Sequence, residues 1–495
     1  MPRVKEQESS APSENASDRV TPLPLPSSPP ANTVSQTPNG SIVNAHANGE
    51  RIPLSLPPPP PPPPTEGPWR SYKEKVATLA DRIIEAQRPI RILQAVKWEP
   101  IVWETFRKAR FRELPKVDTD TYAKIDLGFD PRARMQDFQD LADQARRELG
   151  ADDALARILR STCLEYRDVC KMLLARGTPE FYSLSRRLYG SPKDTFPDGT
   201  TSVRDLALML YSLLTNLDEA ALGPMQPRDL DGAKVVEILT SRFKSYFGEA
   251  AVNVTLDDGI LADAAAGSDY VKVRDGAIFT QRDVDILEVH EGWVHVATSL
   301  NGANQHVARW LAKGPPRTSP VQEGLAALME IVTFRSYPRR ARRLNERVLA
   351  VDKAEDGASF MEVFEWYRTE GYEEEECFGA ARRVFRGGTL EGGAPFTKDI
   401  TYTKGLVSNY HFIRSAIRCA RPELVRFLFV GKVAHEDVPV LYARVADGVV
   451  RPPKFLPPLF SDLNGLAIWM AYSGFFARMG SQAIEEYYER LFEMA

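Results

Sequence analysis

The sequence predicts an α+β fold that is mostly helical. Between Trp69 and Gly248, apolar residues recur at the 3.6-residue spacing of helices, and capping signals separate one helix from the next. From Val252 to Thr280 the pattern changes to short alternating segments, which indicate a small sheet. Helical spacing returns after Thr280. We therefore expect one small sheet between two helical regions.

Composition places the chain among ordinary soluble proteins. It has 495 residues, 43% of them hydrophobic, and a net charge of −4, which gives no case for general nucleic-acid binding. The four cysteines form no CxxC pair, so a reducing compartment is the simpler interpretation. The N-terminus has no apolar signal segment, and no uninterrupted apolar run is long enough for a membrane span. We expect a cytoplasmic protein with neither nucleic-acid nor membrane partners, and the sequence is silent on its oligomeric state.

Residues 1–68 are predicted to be a disordered, proline-rich tail. Serine, proline, asparagine, alanine and glycine dominate it, and eight consecutive prolines run from Pro57 to Pro64. Such a composition cannot form a packed core, and the proline run favours a stiff polyproline II spacer. A proline-rich ligand for a partner domain is the alternative.

Residues 69–248 are predicted to form a helical region. Asp130 and Pro131 mark the start of a helix that runs to about Leu149, and Ser202 with Asp205 forms a capping box for another. Nothing in this region has the spacing of a catalytic group. We interpret it as a helical layer that packs against the rest of the chain.

Residues 249–495 are predicted to form the functional region, which begins with the sheet. Alternation from Val252 to Leu256 indicates a strand. Tyr270–Val273 and Ala277–Phe279 flank Arg274-Asp275-Gly276, which indicates a β-hairpin. An open edge of such a sheet can hold an extended peptide by backbone pairing, although a plain packing sheet fits the pattern equally well.

The helix that starts at Thr280 carries two histidines and a glutamate. Thr280 and Asp283 form a capping box, and His290, Glu291 and His295 follow on the same helix. Histidines at i and i+5 lie roughly 140° apart on a regular α-helix, so they could not share one metal ion. A π-bulge adds one residue to the turn and brings such a pair to one side. A metal site here therefore requires an i→i+5 irregularity between the two histidines.

A second helix is predicted to supply a carboxylate. Ser319 is its expected N-cap, and Pro320 fits the first helical position. Gln322 completes a capping box with Ser319, and Glu323 lies in the first turn.

His290, His295 and Glu323 together make a three-ligand set for one catalytic zinc ion per chain. Glu291 occupies the position at which zinc hydrolases keep the general base that deprotonates water. Two histidines and one carboxylate also describe the facial triad of non-haem iron oxygenases, and a pair of unrelated core histidines is the plain structural alternative. Glu291 has no obvious role in an oxygenase, so it favours the hydrolase.

The two motifs resemble those of the family named for its QEGLA sequence. They are His290-Glu291-x-x-x-His295 and Gln322-Glu323-Gly324-Leu325-Ala326, and the resemblance extends from roughly Tyr72 to the C-terminus. Bacterial members are labelled flavohaemoglobin expression-modulating, and eukaryotic members include the microtubule-associated tyrosine carboxypeptidase, which acts on α-tubulin. The resemblance implies a zinc peptidase with the ligands and base named above. The substrate does not carry over with it.

Cationic residues are the candidates for binding a substrate carboxylate. Arginine binds carboxylates with bidentate geometry, and six arginines, Arg335 and Arg339 among them, fall within residues 335–347. A solvated helix face paired with the acidic run Glu373–Glu376 is the structural alternative. Lys398 is a further candidate, and Tyr402 could donate a hydrogen bond to the oxyanion of the scissile carbonyl. For these two, the alternative is a hydrogen-bond network at a helix start.

The sequence thus favours a zinc metallopeptidase, most simply a carboxypeptidase that trims the C-terminus of a peptide or protein. A regulatory or binding metalloprotein that influences gene expression without turnover is the alternative. A closed, four-ligand metal site would favour the second function. Carboxypeptidase and endopeptidase differ by whether a cationic group closes the site beyond the scissile bond.

Overall fold

A computed structural model describes residues 66–224, 226–248, 252–258, 260, 263–476, 486 and 488–491. The predicted tail lies outside the described residues, except that Glu66-Gly67-Pro68 belong to the first helix. Within these ranges, no helix is both long enough and apolar enough to cross a bilayer.

The N-terminal part of the described chain is helical, as predicted. Asp130 accepts hydrogen bonds from the amides of Arg132 and Ala133, and Ser202 and Asp205 form the predicted capping box. The helices are α1 (Glu66–Gln87), α2 (Ile92–Ala95), α3 (Pro100–Lys108), α4 (Thr119–Ala123), α5 (Pro131–Leu149), α6 (Ala154–Leu174), α7 (Pro179–Tyr189), α8 (Val203–Thr215) and α9 (Gly232–Phe247).

The strands of the described ranges form two small sheets. They are β1 (Leu230–Asp231), β2 (Asn253–Asp257), β3 (Ala264–Ala266), β4 (Tyr270–Arg274) and β5 (Ile278–Phe279). β4 lies between β2, to which it is parallel, and β3, to which it is antiparallel. β1 and β5 pair with each other.

The predicted hairpin around Arg274-Asp275-Gly276 is wrong. β4 and β5 flank this turn but belong to different sheets, because β5 pairs with β1, a strand that precedes α9. The hairpin partner of β4 is the preceding strand, β3, and the amide of Gly267 donates to the carbonyl of Tyr270 where the chain turns between them. The strand predicted from Val252 to Leu256 is confirmed as β2, one residue later at each end.

Helices follow to the end of the described chain, and the mostly helical α+β class is confirmed. They are α10 (Gln281–Leu287), α11 (Ala297–Ala303), α12 (Ser319–Val332), α13 (Pro338–Glu355), α14 (Phe360–Thr369), α15 (Glu374–Phe385), α16 (Thr401–Arg418), α17 (Pro422–Phe427), α18 (Val438–Ala443), α19 (Pro458–Ser461) and α20 (Asn464–Phe476). Short 3-10 turns cover Arg309–Ala312, Pro316–Thr318, Thr397–Ile400 and His435–Asp437.

The predicted cap of α12 is wrong, although the helix itself is confirmed. Ser319 already has helical backbone angles, and Thr318 precedes it without a side-chain capping bond. The 3-10 turn Pro316–Thr318 runs directly into the helix, so no extended residue precedes it. Gln322 is therefore not part of a capping box, and its side chain is used elsewhere.

Two apolar clusters meet at the helix that carries the histidines. The larger cluster contains residues from Val76 to Met470, so helices of both predicted regions pack in it. The smaller cluster lies between the sheet and α9. Val289 and Val294 belong to the larger cluster and Val296 to the smaller one. Buried side chains therefore fix this helix on opposite faces.

Candidate metal centre

A π-helix from Glu288 to Val296 joins α10 to α11 and contains both histidines. The predicted i→i+5 irregularity is confirmed. The extra residue per turn brings the rings of His290 and His295 to the same side, with their centroids 5.0 Å apart. Gly292, inside the π-helix, lies so close to the Phe243 ring of α9 that a Cβ would clash with it.

His290, His295 and Glu323 converge, as the ligand prediction requires. Each offers one ligand atom, and these three atoms lie within 4.8 Å of one another. His295 Nε2 is 3.7 Å from Glu323 Oε2. Two imidazole nitrogens and one carboxylate oxygen form a set that can hold a metal ion, with further coordination left to water or substrate.

Glu330 and Arg340 orient His290. The Nδ1 atom of His290 lies 2.7 Å from Glu330 Oε1, which leaves Nε2 for the metal site. Arg340 donates two hydrogen bonds to the fully buried Glu330 carboxylate, at 2.8 and 3.1 Å. Burial opposes protonation of His290, but Glu330 outweighs it and raises the pKa of the ring. Sequence reasoning missed Glu330, although a glutamate within the apolar helix sequence LAALMEIV was a visible signal.

Gln322 orients the second histidine. Its Oε1 accepts hydrogen bonds from the Thr298 hydroxyl at 2.8 Å and from Lys432 Nζ at 2.7 Å. The same oxygen faces His295 Nδ1 at 3.5 Å, so Nε2 of that ring points toward Glu323. Burial lowers the pKa of His295 to about 3, which keeps the ring neutral and able to ligate.

Lys432 is a second group that sequence reasoning missed. Its ammonium also donates to the His295 carbonyl at 2.9 Å. Burial lowers the pKa of Lys432 to about 7. Lys432 lies more than a hundred residues after Gln322, in a segment without a recognisable motif, so nothing in the local sequence placed it here.

Glu291 points toward the edge of the sheet. Its Oε2 accepts a hydrogen bond of 2.9 Å from the amide of Ala266 in β3. The residue is only 9% exposed. Burial raises the pKa of the carboxyl; His290 opposes this increase, and the charge of Glu323 adds to it. A glutamate in this setting holds a proton more readily than one in water.

Lys398 and Tyr402 lie beside Glu323. Lys398 Nζ donates to Glu323 Oε1 at 3.0 Å and lies 5.8 Å from the centre of the Tyr402 ring. Burial alone would raise the pKa of Glu323, but Lys398 and the two histidines outweigh it and hold that pKa well below its usual range. Burial raises the pKa of Tyr402, so its hydroxyl stays protonated.

A close helix crossing brings these residues to the metal centre. α12 and α16 touch at Gly324 and Gly405, where a Cβ on either glycine would overlap the other helix's backbone. Gly324 directly follows Glu323, and Gly405 lies on the α16 turn after Tyr402. The glycine of the QEGLA sequence therefore permits the approach of α16 to the ligand helix.

Arg335 and Arg339 have carboxylate partners of their own. Arg335 is 3.5 Å from Glu288 Oε2 and stacks over the ring of Trp293. Arg339 pairs with Glu376 at 3.1 Å, inside the acidic run that was the alternative partner of this cluster. Arg343 pairs with the same carboxylate at 2.7 Å.

The fold and the site define a class of protein. It is a mostly helical α+β protein in which a π-helix and a neighbouring helix present two histidines and a glutamate as a potential metal-binding triad.

Comparison with known families identifies the chain more closely. The sequence model of a family described as microtubule-associated tyrosine carboxypeptidase matches residues 104–478, and the chain belongs to this family. Among curated proteins, none matches the sequence. Membership confirms the resemblance given by the two motifs, and it implies a function related to that of carboxypeptidases.

Proposed function

We propose that this protein is a zinc-dependent metallopeptidase that removes residues from the C-terminus of a peptide or protein. The arrangement around Glu291 carries the proposal. This carboxylate follows the first ligand histidine and is held by a backbone amide of the adjacent sheet edge. A metal site that served only to stabilise the fold would have no use for a buried acid beside it.

The donor set fits zinc. His290, His295 and Glu323 would hold one ion per chain through two imidazole nitrogens and a carboxylate oxygen. The hydrogen bond of His290 Nδ1 to Glu330 is the outer contact that zinc-binding histidines typically make. When bound, the ion supplies Lewis acidity to the scissile carbonyl and lowers the pKa of water.

Glu291 would be the general base. Its carboxylate would accept a proton from the attacking water and deliver it to the amine nitrogen of the leaving residue. The raised pKa suits both steps. A glutamate with an ordinary pKa would accept the proton from water less readily and would release it sooner. The Ala266 amide keeps one carboxylate oxygen in place and leaves the other for water.

One edge of β3 pairs with none of the described strands and offers a place for the substrate backbone. Asp263 and Gly267 bond to β4, so in the alternating pattern of an antiparallel pair the backbone groups of Ala264 and Ala266 point to the other side. One of these groups, the Ala266 amide, already reaches Glu291. An extended peptide paired along this edge would pass beside the general base.

Tyr402 would donate a hydrogen bond to the oxyanion that develops on the scissile carbonyl. Its hydroxyl stays protonated and makes no hydrogen bond to any residue that the structure describes. Tyr402 is therefore available to a substrate, and it lies next to Lys398 and Glu323. Donors that are in place before the reaction stabilise such charge most effectively.

The family description makes a C-terminal tyrosine the first substrate to test. The experiment combines metal analysis of the purified protein with digestion of a mixed peptide library, read by mass spectrometry, for the wild type and for Glu291→Gln. We expect one zinc ion per chain in both proteins and C-terminal trimming only in the wild type. Zinc in both with no cleavage in either would refute the peptidase and favour a binding role. Iron in place of zinc would favour an oxygenase.

A further inference from the structure

Most cations near the metal centre are already neutralised by a carboxylate. Lys398 is bound to Glu323, and Arg340 is bound through two hydrogen bonds to Glu330. Arg383 forms a similar two-bond pair with Asp399, at 2.6 and 3.0 Å. Each of these cations would have to lose a buried partner before it could bind a substrate carboxylate, which is costly.

Arg347 differs from them. Its guanidinium lies over the ring of Tyr402, with Cζ 4.8 Å from the ring centre. It forms no hydrogen bond or ion pair with any residue that the structure describes. The residue is partly exposed, so a ligand can reach it. Arg347 also follows Arg340 by seven residues on α13, which places both on the face of the helix that looks toward the metal centre.

The surroundings of Arg347 carry more positive than negative charge. Arg383, Arg386 and Lys398 lie around Tyr402 together with Arg347, whereas the carboxylates there are those of Glu323 and Asp399. Arg386 is only 5% exposed, and its Nε has no hydrogen-bond partner among the described residues. A buried guanidinium with an unsatisfied N–H group is stabilised when an anion joins it.

We propose that Arg347 binds the terminal α-carboxylate of the substrate and so makes the enzyme an exopeptidase. The inference rests on the proposed peptidase function and adds the residue that selects a free C-terminus. A guanidinium can hold a carboxylate through two parallel hydrogen bonds. The contact with Tyr402 places this anchor next to the proposed oxyanion donor.

Arg347 could instead act only on Tyr402, by lowering the proton affinity of its hydroxyl. That role would influence all peptides equally, whether or not they end in a carboxylate. The two roles can therefore be distinguished by comparing a peptide that has a free C-terminal carboxylate with the same peptide that has a C-terminal amide.

The test uses binding, so that it does not depend on turnover. A short fluorescein-labelled peptide ending in tyrosine is titrated into the zinc-loaded full chain carrying Glu291→Gln, once as the free acid and once as the C-terminal amide. Because a hydrogen bond to a charged group contributes about tenfold to a hundredfold in affinity, we expect a preference of that size for the acid. Adding Arg347→Gln should abolish the preference, and Arg347→Lys should restore part of it.

Arg343→Gln is the matched control. It removes the same charge from the same helix, and Arg339 remains to pair with Glu376. It should leave the preference for the acid intact. Thermal unfolding of each variant shows whether it folds, and Arg347→Lys keeps the test valid if the glutamine variant does not.

The outcomes separate this inference from the peptidase proposal. Cleavage by the wild type together with equal losses of acid and amide binding in Arg347→Gln would overturn the anchor and leave the peptidase standing. An acid preference that depends on Arg347, without cleavage of any peptide by the wild type, would overturn the peptidase and keep the carboxylate site. No preference for the acid before the mutation would also overturn the anchor.

Discussion

Replacing Glu330 by glutamine should weaken zinc binding, although Glu330 is not a proposed ligand. The change keeps the shape of the side chain and an oxygen that faces His290 Nδ1, but it removes the negative charge. Without that charge, the His290 ring is less basic and its orientation is less firmly held. Glu330 is fully buried, so solvent cannot replace the lost interaction.

The size of the effect follows from the role of the residue. Loss of a hydrogen-bond partner behind a ligand histidine weakens metal affinity by about 10- to 100-fold. This corresponds to about 1.4–2.7 kcal/mol of binding free energy. The same substitution leaves Arg340 opposite a neutral amide, and breaking a buried ion pair costs up to about 3–5 kcal/mol of stability. Affinity and stability must therefore be measured separately.

Zinc affinity is measured by competition with a chromophoric chelator, and the stability of the zinc-free protein by urea unfolding. Glu346→Gln is the control, because Glu346 is also fully buried and pairs with an arginine, Arg342, at 3.0 Å. We expect both variants to lose stability and only Glu330→Gln to lose affinity. Glu330→Gln/Arg340→Met should regain stability without regaining affinity. If Glu330→Gln binds zinc as tightly as Glu346→Gln does, Glu330 does not tune the site.

Three further changes test other parts of the structure. Glu323→Ala should lower the zinc content of the purified protein, since one of three ligands is lost, and unchanged stoichiometry in metal analysis would remove Glu323 from the ligand set. Burial raises the pKa of Glu165 to about 7 in the folded protein, above the 4.5 of an unburied glutamate. Protonated Glu165 therefore contributes fully to the free energy of unfolding below pH 4.5, and this contribution is lost as the pH rises through 7. Glu165→Gln should therefore remove a decline of roughly 3 kcal/mol in the free energy of unfolding, and equal pH slopes in urea titrations of both proteins would contradict this. Gly405→Ala would push a Cβ against the Pro320 carbonyl and should lower the free energy of unfolding by about 1–3 kcal/mol or more. Gly379→Ala is the control, because its Cβ meets open space and should not lower the free energy of unfolding. Equal urea midpoints for the two variants would refute the close crossing.

Local signals predicted the helices and the strand segments, whereas the pairing of the strands was predicted wrongly because it depends on distant residues. The capping boxes at Ser202 and Thr280 depend on residues three apart, so the sequence contains all the information that forms them. The partner of β5 is instead β1, a strand that lies on the other side of α9 and about fifty residues away. A turn sequence such as Asp275-Gly276 marks a reversal of the chain, but it does not determine which strands pair.

The same contrast applies to the metal centre. The three residues of the candidate site were predictable because each motif is short, and the i→i+5 spacing of His290 and His295 required the π-helix that the structure shows. The groups that orient the ligands were not predictable in the same way. Lys432 reaches Gln322 across more than a hundred residues, and Arg347 differs from Arg340, Arg383 and Lys398 in forming no ion pair with any residue that the structure describes. Such properties depend on tertiary contacts, and composition does not reveal them.

The arrangement of α12 explains how a weak local motif can produce a rigid site. Glu323 and Glu330 are seven residues apart on this helix, so both face the π-helix. One offers a carboxylate to the metal position, and the other holds His290 in its orientation. A shift of α12 would therefore move a ligand and the partner of another ligand together, and the glycine crossing with α16 restricts that shift. These contacts therefore hold the candidate metal site from two helices at once, independently of the arginine proposed to bind the substrate.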